Sequence, residues 1–114
     1  MSKDLSVSVL LDFYSELLTQ KQRDTMDLYY NSDYSLAEIA QHLDISRQGV
    51  RDFIKRGEKQ LYEFEDKLKL AELYNAIAKN TENIESILNS INQDNISKKI
   101  SEIKDELENI KKLL

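Results

Sequence analysis

The sequence predicts an all-α protein, a helix-turn-helix domain with a C-terminal helical extension. Three observations predict it. The 114 residues hold no Pro and only two Gly, so helix interiors meet almost no breakers. Apolar residues recur at three- and four-residue spacing along nearly the whole chain. Short capping signatures, T-x-x-Q and S-x-x-E, stand just ahead of these runs and mark where helices begin. The division expected is residues 1–62, with the helix-turn-helix at about 35–60, and a helical tail over 63–114.

Leu10, Leu11, Phe13, Tyr14, Leu17 and Leu18 share one helical face, which predicts a first helix over about residues 6–18. Thr19 to Gln22 forms a capping box for a second helix reaching about Tyr30. Asn31, Ser32 and Asp33 read as a loop. Ser35 to Glu38 forms another box, opening a short helix through Leu43. Asp44, Ile45 and Ser46 make a tight turn, with Ser46 as N-cap of a helix starting at Arg47.

After Leu61 the pattern changes. Leu70, Tyr74, Ile77, Thr81, Ile84, Leu88 and Ile91 alternate steps of four and three. A polar break, Asn92 to Asn95, follows. Ile96, Ile100, Ile103, Leu107, Ile110 and Leu114 then resume the steps. Seams this narrow cannot bury themselves, so they need partner helices. A helical hairpin and a dimer bundle both supply them, and the tail is a site of expected self-association.

The chemistry concentrates between residues 35 and 61. A helix-turn-helix needs a small residue where its helices cross, which Ala40 supplies. Its facing sides need apolar residues, here Leu36, Ile39, Leu43, Ile45, Val50, Phe53 and Ile54. The exposed start of the second helix then carries Arg47, Gln48 and Arg51, with Lys55, Arg56 and Lys59 further along. Arg pairs bidentately with guanine and Gln with adenine, while Lys takes phosphates. These six residues are the candidate nucleic-acid contacts; the bland alternative is a solvated helix face. Gly49 reads equally as a point of close approach to a partner or as relaxed packing.

An acidic chain, formally −5, is by its total charge a poor ligand for phosphate. The charge is uneven, however. Residues 46–60 hold Arg47, Arg51, Lys55, Arg56 and Lys59 against Asp52 and Glu58, a local excess of three positive charges. A local field of opposite sign outweighs the total within about 10 Å in ordinary salt.

Residues 18 to 61 resemble region 4 of bacterial sigma factors, whose helix-turn-helix reads the −35 promoter element. The resemblance rests on L-T-x-x-Q-R (Leu18, Thr19, Gln22, Arg23), Y-S-L-x-E-I-A (Tyr34 to Ala40) and I-S-R-x-x-V-R (Ile45 to Arg51). Where such turns usually carry Gly this chain has Asp44, a residue that tolerates the left-handed backbone expected there. The other sigma regions are absent, so the likeness implies a reading module rather than a complete sigma factor. With "LLDFYSELLT" and the helical tail included, the chain is similar to the YlxM family of small helix-turn-helix proteins. That resemblance implies a link to the signal recognition particle (SRP) pathway, which no residue pattern shows by itself.

No Cys is present, which excludes disulfides and thiolate metal sites. No Gly-rich phosphate loop, nucleophile elbow or Cys/His cluster occurs. Neither catalytic residues nor a metal nor a cofactor is expected, and the chain reads as a non-enzyme. His42, the sole histidine, reads as a surface helix residue. Tyr29, Tyr30 and Tyr34 read as packing around the motif in preference to a stacking platform for bases. The N-terminal apolar run is too short for a signal peptide, and no stretch approaches the ~20 apolar residues of a membrane span. A cytoplasmic protein is expected. Two functions remain. One is a regulator that binds DNA, or SRP RNA, through the helix at 47–59 and dimerises through its tail. The other is an accessory factor that docks onto SRP pathway proteins without contacting DNA. They separate on whether Arg47, Gln48 and Arg51 are occupied by acidic neighbours.

Overall fold

A computed structural model describes residues 3–114, which divide along the chain into two compact units, one ending at Ala71 and the other beginning at Glu72. Six α-helices and no strands occur among the described residues.

In the first unit, α1 (Leu5–Tyr14) is capped by Asp4, whose carboxylate accepts from the Ser6 backbone at 3.0 Å. It is shorter than the periodicity predicts. A 3-10 turn, Ser15–Leu17, follows it. The Ser15 carbonyl accepts from Leu18 N (3.1 Å) and Arg23 Nε (3.2 Å), and Leu18 is extended, as the approach to the next N-cap requires. Leu17 consequently faces solvent, whereas Leu18 stays in the core.

α2 (Gln20–Tyr30) starts where expected, with Thr19 Oγ1 accepting from Gln22 N at 3.3 Å. The reciprocal half of that box is not formed, because the Gln22 side chain is buried and pairs with the Thr19 hydroxyl. α3 (Leu36–Leu43) has the complete box. Ser35 Oγ accepts from Glu38 N at 3.1 Å, and Glu38 Oε1 accepts from Ser35 N at 3.2 Å.

α4 (Arg47–Leu68) is the axis of this unit. Its buried line, Val50, Ile54, Gly57 and Leu61, meets Val7, Leu10, Leu11 and Tyr14 of α1, Met26 and Tyr29 of α2, and Ile39 and Ala40 of α3 in one core. The change of pattern at Leu61 falls inside α4, which continues unbroken to Leu68. It ends at Lys69, in the left-handed region with φ 54°. Side chains hold the backbone that follows. Tyr14 Oη accepts from Leu70 N at 3.0 Å and donates to Glu65, whose Oε1 also accepts from Ala71 N at 3.1 Å. Those bonds satisfy the first amides of α5 (Leu70–Asn89), donors that a helix start leaves unpaired.

The second unit, residues 72–114, holds most of α5 and all of α6 (Ile96–Leu113). Between them Asn92 and Asn95 fold the turn: Asn92 Oδ1 accepts from Asp94 N and Asn95 N, and Asn95 Oδ1 accepts from Asn92 N. Asn83 donates to Glu106 Oε2 at 3.5 Å, six residues before the end of α5 and ten after the start of α6. The two helices therefore run antiparallel as a hairpin. The seam is turned one residue from the expected one. Leu73, Ile77, Ile84, Ile87 and Ile91 on α5 and Ile103 and Ile110 on α6 are half-buried, while Tyr74, Thr81, Leu88, Ile100 and Leu107 are exposed.

Candidate nucleic-acid interface

The turn between α3 and α4 is built from three local devices. Asp44 sits at φ 55°, ψ 49°, the left-handed conformation expected of this position, and ends α3. The Ala40 carbonyl accepts from Ile45 N at 3.1 Å, tucking Ile45 against the core. Ser46 Oγ accepts from Gly49 N at 2.9 Å and starts α4. Gly49 belongs to this cap, because a Cβ there would come within 3.2 Å of Ser46 Oγ.

With Val50, Ile54, Gly57 and Leu61 inward, the opposite face of α4 is solvent-exposed. Arg47, Arg51, Lys55 and Lys59 form one row at four-residue spacing, all exposed, spanning ~18 Å at 1.5 Å per residue. Among the described residues none of these four side chains has an ion-pair or hydrogen-bond partner. The acids of the same helix are engaged elsewhere. Asp52 accepts from Gln48 Nε2 at 3.0 Å. Glu58 accepts from Tyr30 Oη at 2.7 Å, and burial together with this bond pushes the Tyr30 phenol well above its ordinary range.

The six candidate residues thus differ in state. Arg47, Arg51, Lys55 and Lys59 are free; Gln48 is held by Asp52. Arg56 points away from the row, with its guanidinium 5.0 Å from the centre of the Phe53 ring. Lys21, which sequence reasoning missed, comes from α2 to lie 5.3 Å from the same ring. Lys21 and Phe53 are far apart in sequence, so only the packing of α2 on α4 reveals their meeting.

The tyrosines pack. Tyr29 is buried with its ring edge-on to Tyr30 at 5.1 Å, and Tyr34 lies edge-on to the exposed His42 at 5.9 Å. No group of three His, Cys, Asp or Glu side chains able to hold a metal ion occurs among the described residues. None of their helices is long and apolar enough to cross a membrane.

A family model described as "Putative helix-turn-helix protein, YlxM / p13 like" matches residues 1–112. A UPF0122 protein of Clostridium kluyveri is 45% identical over 109 residues, covering 96% of this chain and 98% of that protein. One from Thermoanaerobacter sp. (strain X514) is 46% identical over 110 residues, 93% of this chain and 94% of its own length. Another, from Clostridium novyi, is 42% identical over 114 residues, 97% of this chain and 94% of its own length. Matched over nearly all of its length to the family model and to these relatives, the chain belongs to the UPF0122 family, the YlxM / p13-like helix-turn-helix proteins.

Proposed function

We propose that this protein is a nucleic-acid-binding regulator whose α4 segment 47–59 enters a major groove, acting as a homodimer through its C-terminal helices. The observation that carries the reading is the unpaired row of Arg47, Arg51, Lys55 and Lys59, exposed on the second helix of the motif. Side chains bound to Asp52 or Glu58 would have to exchange partners on binding, and these four do not. Arg47 and Arg51, in the first turns, are assigned to base edges; Lys55 and Lys59 are assigned to phosphates. Gln48 reads a base only after leaving Asp52, so its contribution is smaller. Arg56 and Lys21 flank the groove-facing surface as backbone contacts. A role in the SRP pathway rests on the family resemblance, which makes SRP RNA one of the ligands to offer.

The test is a selection from random duplexes and structured RNAs at low salt, followed by titration of single alanine variants. Arg47→Ala and Arg51→Ala each cost ~1–3 kcal/mol and relax sequence preference. Lys55→Ala and Lys59→Ala weaken all sequences alike. If nothing is enriched and the variants behave as the parent does, the helix-turn-helix is a scaffold for protein contacts, and the accessory-factor reading replaces this one.

A further inference from the structure

The hairpin α5–α6 buries the wrong side chains for a structure that stands alone. On α6, Lys99 and Glu106 are half-buried, whereas Ile100 (44% exposed) and Leu107 (46%) lie open. On α5, Leu88 is 53% exposed and Tyr74 is 62% exposed. Half-burying Lys99 and Glu106 while apolar neighbours stay wet opposes the usual partition, which marks the open face as one that a partner covers.

These open residues form a single stripe. Tyr74, Thr81 and Leu88 repeat every seven residues on α5, and Ile100 and Leu107 do so on α6, with Leu114 next in the series at its C-cap. Each set lies one residue past its helix's inward column. In an antiparallel pair, positions displaced in the same sense on both helices lie on the same flank. The Asn83–Glu106 bond fixes the register, so Leu88 stands level with Ile100 and Thr81 with Leu107. Along α5 the stripe borders a shallow groove lined by Tyr74, Ile77, Ala78, Thr81, Glu82 and Glu85.

Charge selects the occupant. Outside the α5 column lie two acids, Glu82 and Glu85; outside the α6 column lie Lys104 and Lys111 with one acid, Glu108, all exposed, so the α5 flank is net negative and the α6 flank net positive. A second copy turned about a two-fold axis along the hairpin sets α5 over the partner's α6. Glu85 then meets a lysine from the partner's α6, at the level of Lys104, and Thr81 receives a leucine at the level of Leu107. The other two-fold arrangement stacks α5 on α5 and brings glutamates against glutamates. The geometry points to a symmetric dimer in which this stripe closes a four-helix bundle, each helix antiparallel to its neighbours. The inference rests on reading the chain as a homodimer and names the surface and its orientation.

Sedimentation of the full chain at micromolar concentration gives a dimer. Leu88→Asp and Leu107→Asp, at exposed positions, weaken association at least tenfold and leave the helical circular-dichroism signal unchanged. Asn109→Asp, on the opposite flank of α6, has no effect. Glu85→Lys and Lys104→Glu each weaken the dimer, and the two together restore it. The chain has no native cysteine, so Thr81→Cys mixed with Leu107→Cys gives a disulfide-linked pair, while Thr81→Cys alone does not. A monomeric parent overturns the homodimer reading itself. A dimer that survives Leu107→Asp with its affinity unchanged leaves that reading standing and overturns this surface. Cross-linking of Thr81→Cys with itself overturns the orientation.

Discussion

Asp44 shows how a single backbone angle was readable in advance. The resemblance placed it where related turns carry Gly, and its φ of 55° is the conformation a Cβ makes costly. Its carboxylate has no partner among the described residues. Asp44→Gly should therefore hold or raise stability, by up to about 1 kcal/mol, offset in part by the greater freedom of Gly when unfolded. A fall of several degrees in melting temperature would show that the carboxylate has work in the folded state. Gly57 carries the opposite lesson, because nothing in its sequence neighbourhood marks it. A Cβ there would stand 2.8 Å from Met26 Sδ and 3.1 Å from Met26 Cγ, in a side chain wholly buried where α2 crosses α4. Overpacking of this kind costs ~1–3 kcal/mol, against a gain of about 1 kcal/mol from replacing Gly by Ala in a helix. Gly57→Ala should be a net loss in the parent and a net gain in a Met26→Ala background. Urea melts of the four proteins measure that coupling directly.

At the scale of elements, what the sequence made legible was local. The starts of α2, α3 and α4 follow from Thr19, Ser35 and Ser46, each capping a backbone amide three residues on. The tail seam was not legible, for a definite reason. Ile77, Ile84 and Ile91 fit either of two neighbouring columns, Leu73–Asn80–Ile87 or Tyr74–Thr81–Leu88, and both alternate apolar with polar. Periodicity cannot choose between them; packing did. Substitutions must respect that choice. Ile84→Asp and Ile103→Asp strike the half-buried seam and should reduce helicity, unlike Leu88→Asp on the open face. The break at Lys69 was also hidden, since Tyr14 reaches it from a distant part of the sequence and Glu65 from within α4. Tyr14→Phe removes the acceptor for Leu70 N and the donor to Glu65, and should cost about 1–2 kcal/mol. Faster amide exchange at Leu70 than elsewhere in α5 would report it.

Over the whole molecule, titration and salt act in separate ranges. Burial, then the bond to Glu65, raises the Tyr14 phenol, and burial with the bond to Glu58 raises Tyr30. A raised folded value means that stability is fully present below the ordinary tyrosine range near pH 10 and is lost as pH climbs toward the folded value. Asp33 is held low by its bond to Lys3, so its small contribution is present above the ordinary carboxylate range and disappears as pH falls through the lower folded value. Between these limits, folding should be nearly flat with pH, and urea melts from pH 5 to 9 check it. Tyr30→Phe should reduce the alkaline loss. Binding responds to salt instead. The four cations assigned to the backbone, Lys55, Lys59, Arg56 and Lys21, neutralise ~4 phosphates, so log K should fall against log salt with a slope of about −3 to −4 per subunit. That is roughly a hundredfold between 50 and 200 mM. The chain's net −5 does not alter the number of counterions displaced, but it repels the duplex and lowers affinity at every salt concentration. Lys55→Ala and Lys59→Ala should each flatten the slope by about one. Replacing acids of residues 1–45 away from α4 should instead raise affinity while leaving the slope nearly unchanged. A slope that stays put when the α4 lysines are removed would mean that other cations meet the phosphates, and would move the interface off this helix.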